Sequence, residues 1–507
     1  MTLSRRLPVV FTLALLFLHP ISAKEREREL LPDHPDERMQ RVVRVDEPSE
    51  DCLQFNCEPL PSKVTKDNVG ALSVAWQTKL EDIADTAPVF VSSASTFFGD
   101  RDLLIVTTMG GHLIAVDASD GNVIWSADAP NGPRWTTASP AVDRDHGYVY
   151  AYGRDGYVHR HSLFDGSEVK GDGWPELVTR KPDAEKCSSA LSVVTTNDGH
   201  RYLYATIAGY PEGDNFDYQG HLVTIDLATG KQNVFNALCS DRAIHFDAGN
   251  VSTNCKSQQA GIWARAGAVY DPVTDRTYIT TGDGPFDADQ GGFNWGSSVL
   301  ALHPDGTSDD GTPVDSYTPS EYQRLNDEDL DLSSTTIAIL PPDPLHHTGR
   351  LAVQGGKDGH LRLLDLNDLS GQGGPRHVGG ELQDIAIAIP SAIFTRPATW
   401  LAPDGTPWVF VTNFKGICAY SLAVDDDGPH LEERWRQTGG GSSPIVDSGV
   451  LFYARNHEVR ALDPLTGQIL WTSTASGNIH WESPIFVNDT LYLPDHENGL
   501  TAYRLPH

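Results

Sequence analysis

Ala461-Leu462-Asp463-Pro464-Leu465-Thr466-Gly467-Gln468-Ile469-Leu470-Trp471 reads as the end of one β-strand, a tight turn and the start of another. Leu462 closes the first strand. Asp463 and Thr466 have short side chains able to hydrogen-bond the turn backbone, and Gly467 supplies the positive φ the turn needs. Ile469 and Trp471 then alternate onto one face of the next strand. The unit recurs. Ala115-Val116-Asp117-Ala118-Ser119-Asp120-Gly121-Asn122-Val123-Ile124-Trp125 repeats it almost position for position, and Thr224-Ile225-Asp226-Leu227-Ala228-Thr229-Gly230-Lys231 repeats its first two thirds. Repetition at this period implies an architecture of stacked, similar units.

Eight segments carry the pattern: an apolar strand, a second apolar strand, a glycine-bearing turn and a third strand. The third strands are His112–Val116, Tyr157–Leu163, His221–Ile225, Ser298–Leu302, His360–Leu364, Ile417–Leu422, Glu458–Leu462 and Leu500–Arg504. The fullest copies add the Asp-x-x-x-Gly turn and a fourth strand. Inserts rich in Asp, Gly and Pro at 210–219, 284–296, 305–328 and 423–430 are expected on loops. The eighth segment stops after its third strand. Conversely, Ser73-Val74-Ala75-Trp76-Gln77-Thr78 is a lone strand with no hairpin before it, preceded by a short helix signal over 63–72 with Thr65 as N-cap. Trp76 stands where Trp125 and Trp471 stand in their copies. The N-terminal strand therefore completes the last unit and leaves no open radial edge. The expected fold is all-β: an eight-bladed β-propeller of four-stranded blades, its ring closed by that strand.

Met1 to Ala23 has the form of a secretory signal: Arg5 and Arg6, then an apolar run from Leu7 to Leu18 too short to span a bilayer, then Pro20-Ile21-Ser22-Ala23. Residues 24–50 are charged and poor in large apolar groups, as in a flexible linker. The propeller is expected over 51–507. The chain is read as exported, periplasmic or secreted, with no membrane span. A net charge of −31 repels both nucleic acid and anionic membranes, so neither is an expected partner. Six cysteines in an exported chain favour disulfides. Cys52–Cys57 and Cys239–Cys255 are the local pairings, leaving Cys187–Cys418. There is no CxxC and no CxxCH, hence no expected covalent haem. No HExxH accompanies the histidines, so His159, His161, His346, His347 and His480 are read as scattered on the surface.

The Asp-x-x-x-Gly-x-x-x-Trp unit resembles the repeat of the pyrroloquinoline quinone (PQQ) propeller superfamily. Asp67-Asn68-Val69-x-x-Leu72-x-x-x-Trp76 resembles the blade-closing stretch of its alcohol dehydrogenases. Gly261-Ile262-Trp263-Ala264-Arg265-Ala266-Gly267-Ala268-Val269-Tyr270-Asp271-Pro272, with Tyr278-Ile279-Thr280-Thr281-Gly282-Asp283, is similar to their central signature. Gly355-Gly356-Lys357-Asp358-Gly359 is similar to their Gly-Lys-Asn-Gly turn. The resemblance spans nearly the whole chain after the signal.

The resemblance implies PQQ and calcium as cofactors. It also implies a small-molecule alcohol or sugar substrate and, without haem, a separate electron acceptor. Asp283 stands where the family has a calcium-binding Asn, and Glu212 is the nearest match to its calcium-binding Glu. Lys357 stands where a cation meets the quinone oxygens. Trp263 is the candidate floor, though its spacing to Tyr270-Asp271-Pro272 departs from the pattern. Asp329 lies in the region of the catalytic base, with Asp331 the other choice. The adjacent cysteines of many such dehydrogenases are absent; Asn131-Gly132-Pro133-Arg134-Trp135 stands there instead. Each residue also has a plain structural reading: a solvated turn lysine, a turn-capping Asp283, a solvated acidic run, a blade-core tryptophan. The superfamily includes non-catalytic members, so a scaffold that binds a protein partner is the competing expectation.

Overall fold

The turn at Asp463–Gly467 forms as its side chains dictate. Asp463 Oδ1 accepts the Leu465 amide at 2.8 Å and Thr466 Oγ1 accepts that of Gln468 at 3.2 Å. Gly467, at φ 71°, donates its amide to the Asp463 carbonyl at 2.8 Å. The structure, a computed structural model, describes residues 62–130, 132–210, 217–249, 255–497 and 499–506. The expected signal, the linker, Cys52, Cys57 and Glu212 lie outside the described residues.

Eight antiparallel sheets follow one another along the chain. Blade 1 consists of Val89–Thr96, Gly99–Thr107, Leu113–Asp117 and Val123–Ala127, with spatial order equal to chain order. Blades 2 to 7 occupy 141–177, 185–236, 269–317, 338–386, 398–438 and 445–473. Blade 8 has Ile485–Val487, Thr490–Asp495 and Gly499–Arg504, and its fourth strand is Ser73–Thr78. Ser73 pairs with Arg504 and Thr78 with Leu500, so the ring closes as its missing final strand requires. Blade 3 differs slightly: Glu185–Cys187 and Ser192–Thr195 both pair with Arg201–Gly209, a first strand in two pieces.

Burial orients each blade. First strands such as Ala141–Asp143 and Val269–Asp271 are buried throughout. In the fourth strands Val123–Ala127 and Ile469–Ser473, only the tryptophan is buried. First strands therefore face the axis and fourth strands the rim. The core is a ring of apolar interfaces, one between each blade and the next. Leu104 and Val116 of blade 1 pack on Tyr492 and Leu500 of blade 8, and Tyr278 and Tyr317 of blade 4 pack on Leu364 and Ile337 at blade 5. Each fully buried large side chain in these interfaces stabilises the ring by about 1.5–3 kcal/mol.

The repeat's tryptophan and glycine act between blades. Trp435 donates its indole N–H to the Pro464 carbonyl at 2.8 Å, and a Cβ on Gly467 would lie 2.6 Å from its ring. Trp125 reaches Leu163 O at 3.0 Å in the same manner, and Trp76 reaches Ala118 O at 3.3 Å beside Gly121. Trp471 donates to Leu72 O at 2.9 Å, holding the segment that leads into the closing strand. The turn glycine is thus fixed twice, by its positive φ and by the neighbouring blade's indole.

Three expectations need correction. Cys187 and Cys418 are buried free thiols, not a disulfide: one sits in the interface of blades 2 and 3, the other in that of blades 5 and 6. Cys239–Cys255 does form. The helix over 63–72 reduces to a single 3₁₀ turn, Val69–Ala71, with Asn68 as its N-cap residue rather than Thr65. The inserts at 305–328 and 423–430 are not all loop: the first holds the strand Asp315–Tyr317 and a short α-helix, Tyr322–Asp327, and the second is the tip of the hairpin of Gly416–Asp425 and Gly428–Thr438. No helix among the described residues is long and apolar enough to cross a membrane.

Candidate functional site

Antiparallel order places two kinds of connection at the same end of every blade: the loop from second to third strand, and the loop from fourth strand to the next blade's first. Asp283 follows the second strand of blade 4, Arg276–Thr280, and Lys357 follows that of blade 5, Leu351–Gly355. Asp329 and Asp331 lie in the connection from blade 4 to blade 5. All four therefore come to one end of the ring.

They converge there. One oxygen from each of Asp283, Asp329 and Asp331 falls within 4.8 Å of the others. Lys357 Nζ sits 2.5 Å from Asp331 Oδ2 and 3.2 Å from Asp329 Oδ1. Asp331 Oδ1 accepts the Asp283 amide at 2.9 Å, and the Lys357 amide donates to Asp331 O at 3.1 Å. A Cβ on Gly282 would lie 2.1 Å from Asp331 Oδ1, so only glycine admits the carboxylate there. Asp358 pairs with the buried Arg362 at 2.5 Å, which anchors the turn that presents Lys357. Asp329 differs from its neighbours: its side chain is 78% exposed and its backbone is left-handed at φ 55°. The solvated-lysine and turn-cap readings do not hold for Lys357 and Asp283, and the solvated-run reading does not hold for Asp331.

The charges are interdependent. Burial, then the Asp331 carboxylate and a hydrogen bond to it, push the Asp283 carboxyl up to about 9, so it keeps its proton at neutral pH. Burial opposes ionisation of Asp331 too, but Lys357 and hydrogen bonds from Asp283 hold it below the usual carboxylate range. Burial also opposes the charge on Lys357, yet Asp331 and Asp329 outweigh it and hold the ammonium above its ordinary value. Three carboxylates share one ammonium and one retained proton.

Trp263 adjoins this cluster through the chain around Gly261. Ser333 Oγ donates to Gly261 O at 2.7 Å, as does the Gly282 amide at 2.8 Å. The Trp263 ring meets Tyr218 edge-on at 5.8 Å. Burial, followed by Asp283, Asp331 and Asp329, raises the Tyr218 hydroxyl. Trp263 Nε1 is buried without a hydrogen-bond partner among the described residues. Gln259, which donates to Asp283 Oδ2 at 2.8 Å, belongs to the site as well. Neither Gln259 nor Tyr218 carries a sequence signal; only the folding of 259–263 against 281–284 brings them in. Trp135, from the stretch standing where the adjacent cysteines occur, is packed under the Lys186 ammonium at 3.1 Å and against Tyr210.

Carboxylate oxygens alone suit a hard cation such as calcium. A lysine at their edge and an indole donor without a partner suit an anionic group carrying ring oxygens. The residues present therefore offer oxygens to a cation and donors to an anionic group.

A profile of the family described as outer membrane protein assembly factor BamB matches residues 67–260 and 408–506, more than half of the chain. The chain belongs to this PQQ-like propeller family. The interval that the PQQ-like profile leaves unmatched holds Trp263, Asp283, Asp329, Asp331 and Lys357. The dehydrogenase subunit of the alcohol dehydrogenase (quinone) of Komagataeibacter europaeus is 24% identical over 316 residues, 56% of this PQQ-like chain and 40% of that protein. The chain thus spans less than half of that curated relative. Among solved structures, a quinohemoprotein alcohol dehydrogenase of Pseudomonas putida superposes with a TM-score of 0.60 at 17% identity, covering 88% of this chain and 78% of its own. A europium-containing methanol dehydrogenase gives 0.58 at 15%, covering 85% and 86%. At these identities the likeness is one of fold.

Two histidine expectations fail. His159 and His161 are buried, not scattered on the surface; His159 is bound between Glu168 at 2.7 Å and Asp155 at 3.1 Å. They line a cleft of about 660 Å³ beside blades 1 and 2, apart from the carboxylates. His480 is buried too, beside Asp85.

Proposed function

We propose that this PQQ-like propeller is an exported quinoprotein-type oxidoreductase that oxidises an alcohol or sugar with PQQ and calcium. The convergence of Asp283, Asp329, Asp331 and Lys357 at one end of the ring carries the reading.

Asp283 and Asp331 would supply oxygens to the cation, and its arrival would displace the Asp283 proton. Glu212 is the remaining candidate ligand. Lys357 would stabilise negative charge developing on a quinone oxygen. Trp263 and Tyr218 would wall the ring system. Asp329, exposed and less committed than Asp331, would take the proton of the substrate hydroxyl. The bound quinone would supply the two-electron acceptor, and a separate carrier would remove those electrons. Residues 1–23 would be cleaved on export, leaving 24–50 as a linker; the intact mass of exported protein tests this.

Reconstitution with PQQ and calcium should give a quinone absorbance that survives gel filtration and a substrate-dependent dye reduction, scanned across alcohols and sugars. Loss of both overturns the reading. The family description favours the second reading, a non-catalytic scaffold for a protein partner, and that outcome would leave it standing.

A further inference from the structure

A second cluster lies at the same end of the ring, across the seam where blade 8 meets blade 1. Asp85 comes from the connection into blade 1, His480 and Glu482 from the connection into blade 8, and His496 from the loop after the second strand of blade 8. His480 Nδ1 lies 2.7 Å from Asp85 Oδ2. His496 Nε2 lies 3.4 Å from Asp85 Oδ1 and 3.0 Å from Glu482 Oε1. Ligand atoms of Asp85, His480 and His496 all fall within 4.8 Å of one another. Asp85 and Glu482 are fully buried and His480 is 2% exposed.

Two details point to a ligand. Glu482 Oε1 is buried and has no well-aligned hydrogen bond among the described residues, although it sits 3.0 Å from His496 Nε2. Atoms around a common ion with bonds of about 2.0–2.1 Å are separated by roughly 3.0–3.4 Å, at right-angled to tetrahedral positions. The contacts of His496 Nε2 to Glu482 and, at hydrogen-bonding distance, to Asp85 match that spacing. His480 Nδ1 is hydrogen-bonded to Asp85 Oδ2, which leaves its Nε2, buried without a partner among the described residues, as the nitrogen free for an ion. The other atoms are also held in place: Trp481 N donates to Asp85 Oδ1 at 2.9 Å, and His480 N donates to Glu482 Oε2 at 2.6 Å.

We propose that Asp85, His480, Glu482 and His496 form a zinc-type metal site that clasps the seam of the ring. Two imidazoles and two carboxylates suit a borderline transition metal and not calcium, which takes oxygen alone. Four protein ligands on buried side chains make a closed, structural site rather than a catalytic one. The ion joins Asp85, in the connection into blade 1, to three residues of blade 8 and the connection into it. It is a separate centre from the carboxylate site and does not depend on the quinone reading.

The test uses the whole mature protein, stripped with chelator and dialysed against zinc. The expected result is one equivalent retained by elemental analysis, a zinc-dependent rise in melting temperature, and competition by cobalt giving visible d–d absorption. His496→Gln loses the equivalent, the rise and the band. Asp283→Asn, in the other cluster, keeps all three. His480→Gln serves as a second variant should His496→Gln fold poorly. Absence of stoichiometric zinc in folded wild type overturns the proposal, as does retention of zinc in both histidine variants.

Discussion

Lys357 Nζ pairs with Asp331 Oδ2 at 2.5 Å, joining the second-to-third-strand turn of blade 5 to the loop that connects blades 4 and 5. The contact is largely buried, and Asp331 has no comparable second cation within the cluster. Replacing Lys357 by Met leaves a buried carboxylate uncompensated. Removing one partner of such a pair destabilises by about 3 kcal/mol. Urea unfolding of Lys357→Met at neutral pH should show that loss, shrinking at acid pH where Asp331 is protonated.

Asp283 gives a pH dependence whose sign is fixed. In the folded protein its carboxyl keeps a proton up to about pH 9, whereas the ordinary value is 3.8. Between these limits the native state binds the extra proton, so rising pH favours unfolding until the native group has also ionised. Chelator-treated wild type should lose stability through that window relative to Asp283→Asn. Parallel melting curves for the two proteins from pH 5 to pH 9 would contradict the raised value.

The two candidate bases separate by mutation. Asp329→Asn removes an exposed carboxylate and should leave the melting temperature near wild type while abolishing dye reduction. Asp331→Asn removes the partner of Lys357 and an acceptor for the Asp283 amide. It should lower both stability and quinone retention on gel filtration. The reverse pattern would make Asp331 the base.

Gly467 and Gly449 share φ 71°, but only Gly467 lies under an indole. A Cβ on Gly449 meets nothing within 4 Å. Gly449→Ala should cost about 1–2 kcal/mol, the left-handed penalty alone. Gly467→Ala adds a clash with Trp435 and should cost about 1–3 kcal/mol more. Equal values from urea titration would remove the interblade role of that glycine.

Alkylation without reduction tests the cysteine assignment. Denatured, unreduced protein should carry label on the Cys187 and Cys418 peptides and none on those of Cys239 and Cys255. Native protein should resist labelling at Cys187, whose thiol burial pushes well above its usual range.

The ring was legible because its signals are local and repeated: a turn glycine, an alternating strand, a tryptophan eight residues after the turn's first aspartate. The lone strand around Trp76 and the absent last strand sufficed to imply closure. The site was legible only where a motif marked it, as at Lys357 and Asp283. Gln259, Tyr218 and the preference for Asp331 as the buried partner arise from loops meeting in space, which no spacing encodes. The histidine cluster was misread for the same reason. Asp85 and His480 are distant in sequence, and neither sits in a ligand motif, so a buried group looked like a surface one. Cys187 and Cys418 were paired by remainder, a procedure blind to the separate interblade cores that enclose them.

Closure by strand pairing also sets an order of events. Ser73–Thr78 has no partner until Gly499–Arg504 exists, so the seven other blades are made before the belt can be buckled. Bringing those ends together is among the longest-range steps available to the chain, and such contacts form slowly. Blade 8 is therefore the last to be complete, and the ring stays open until its two distant strands meet.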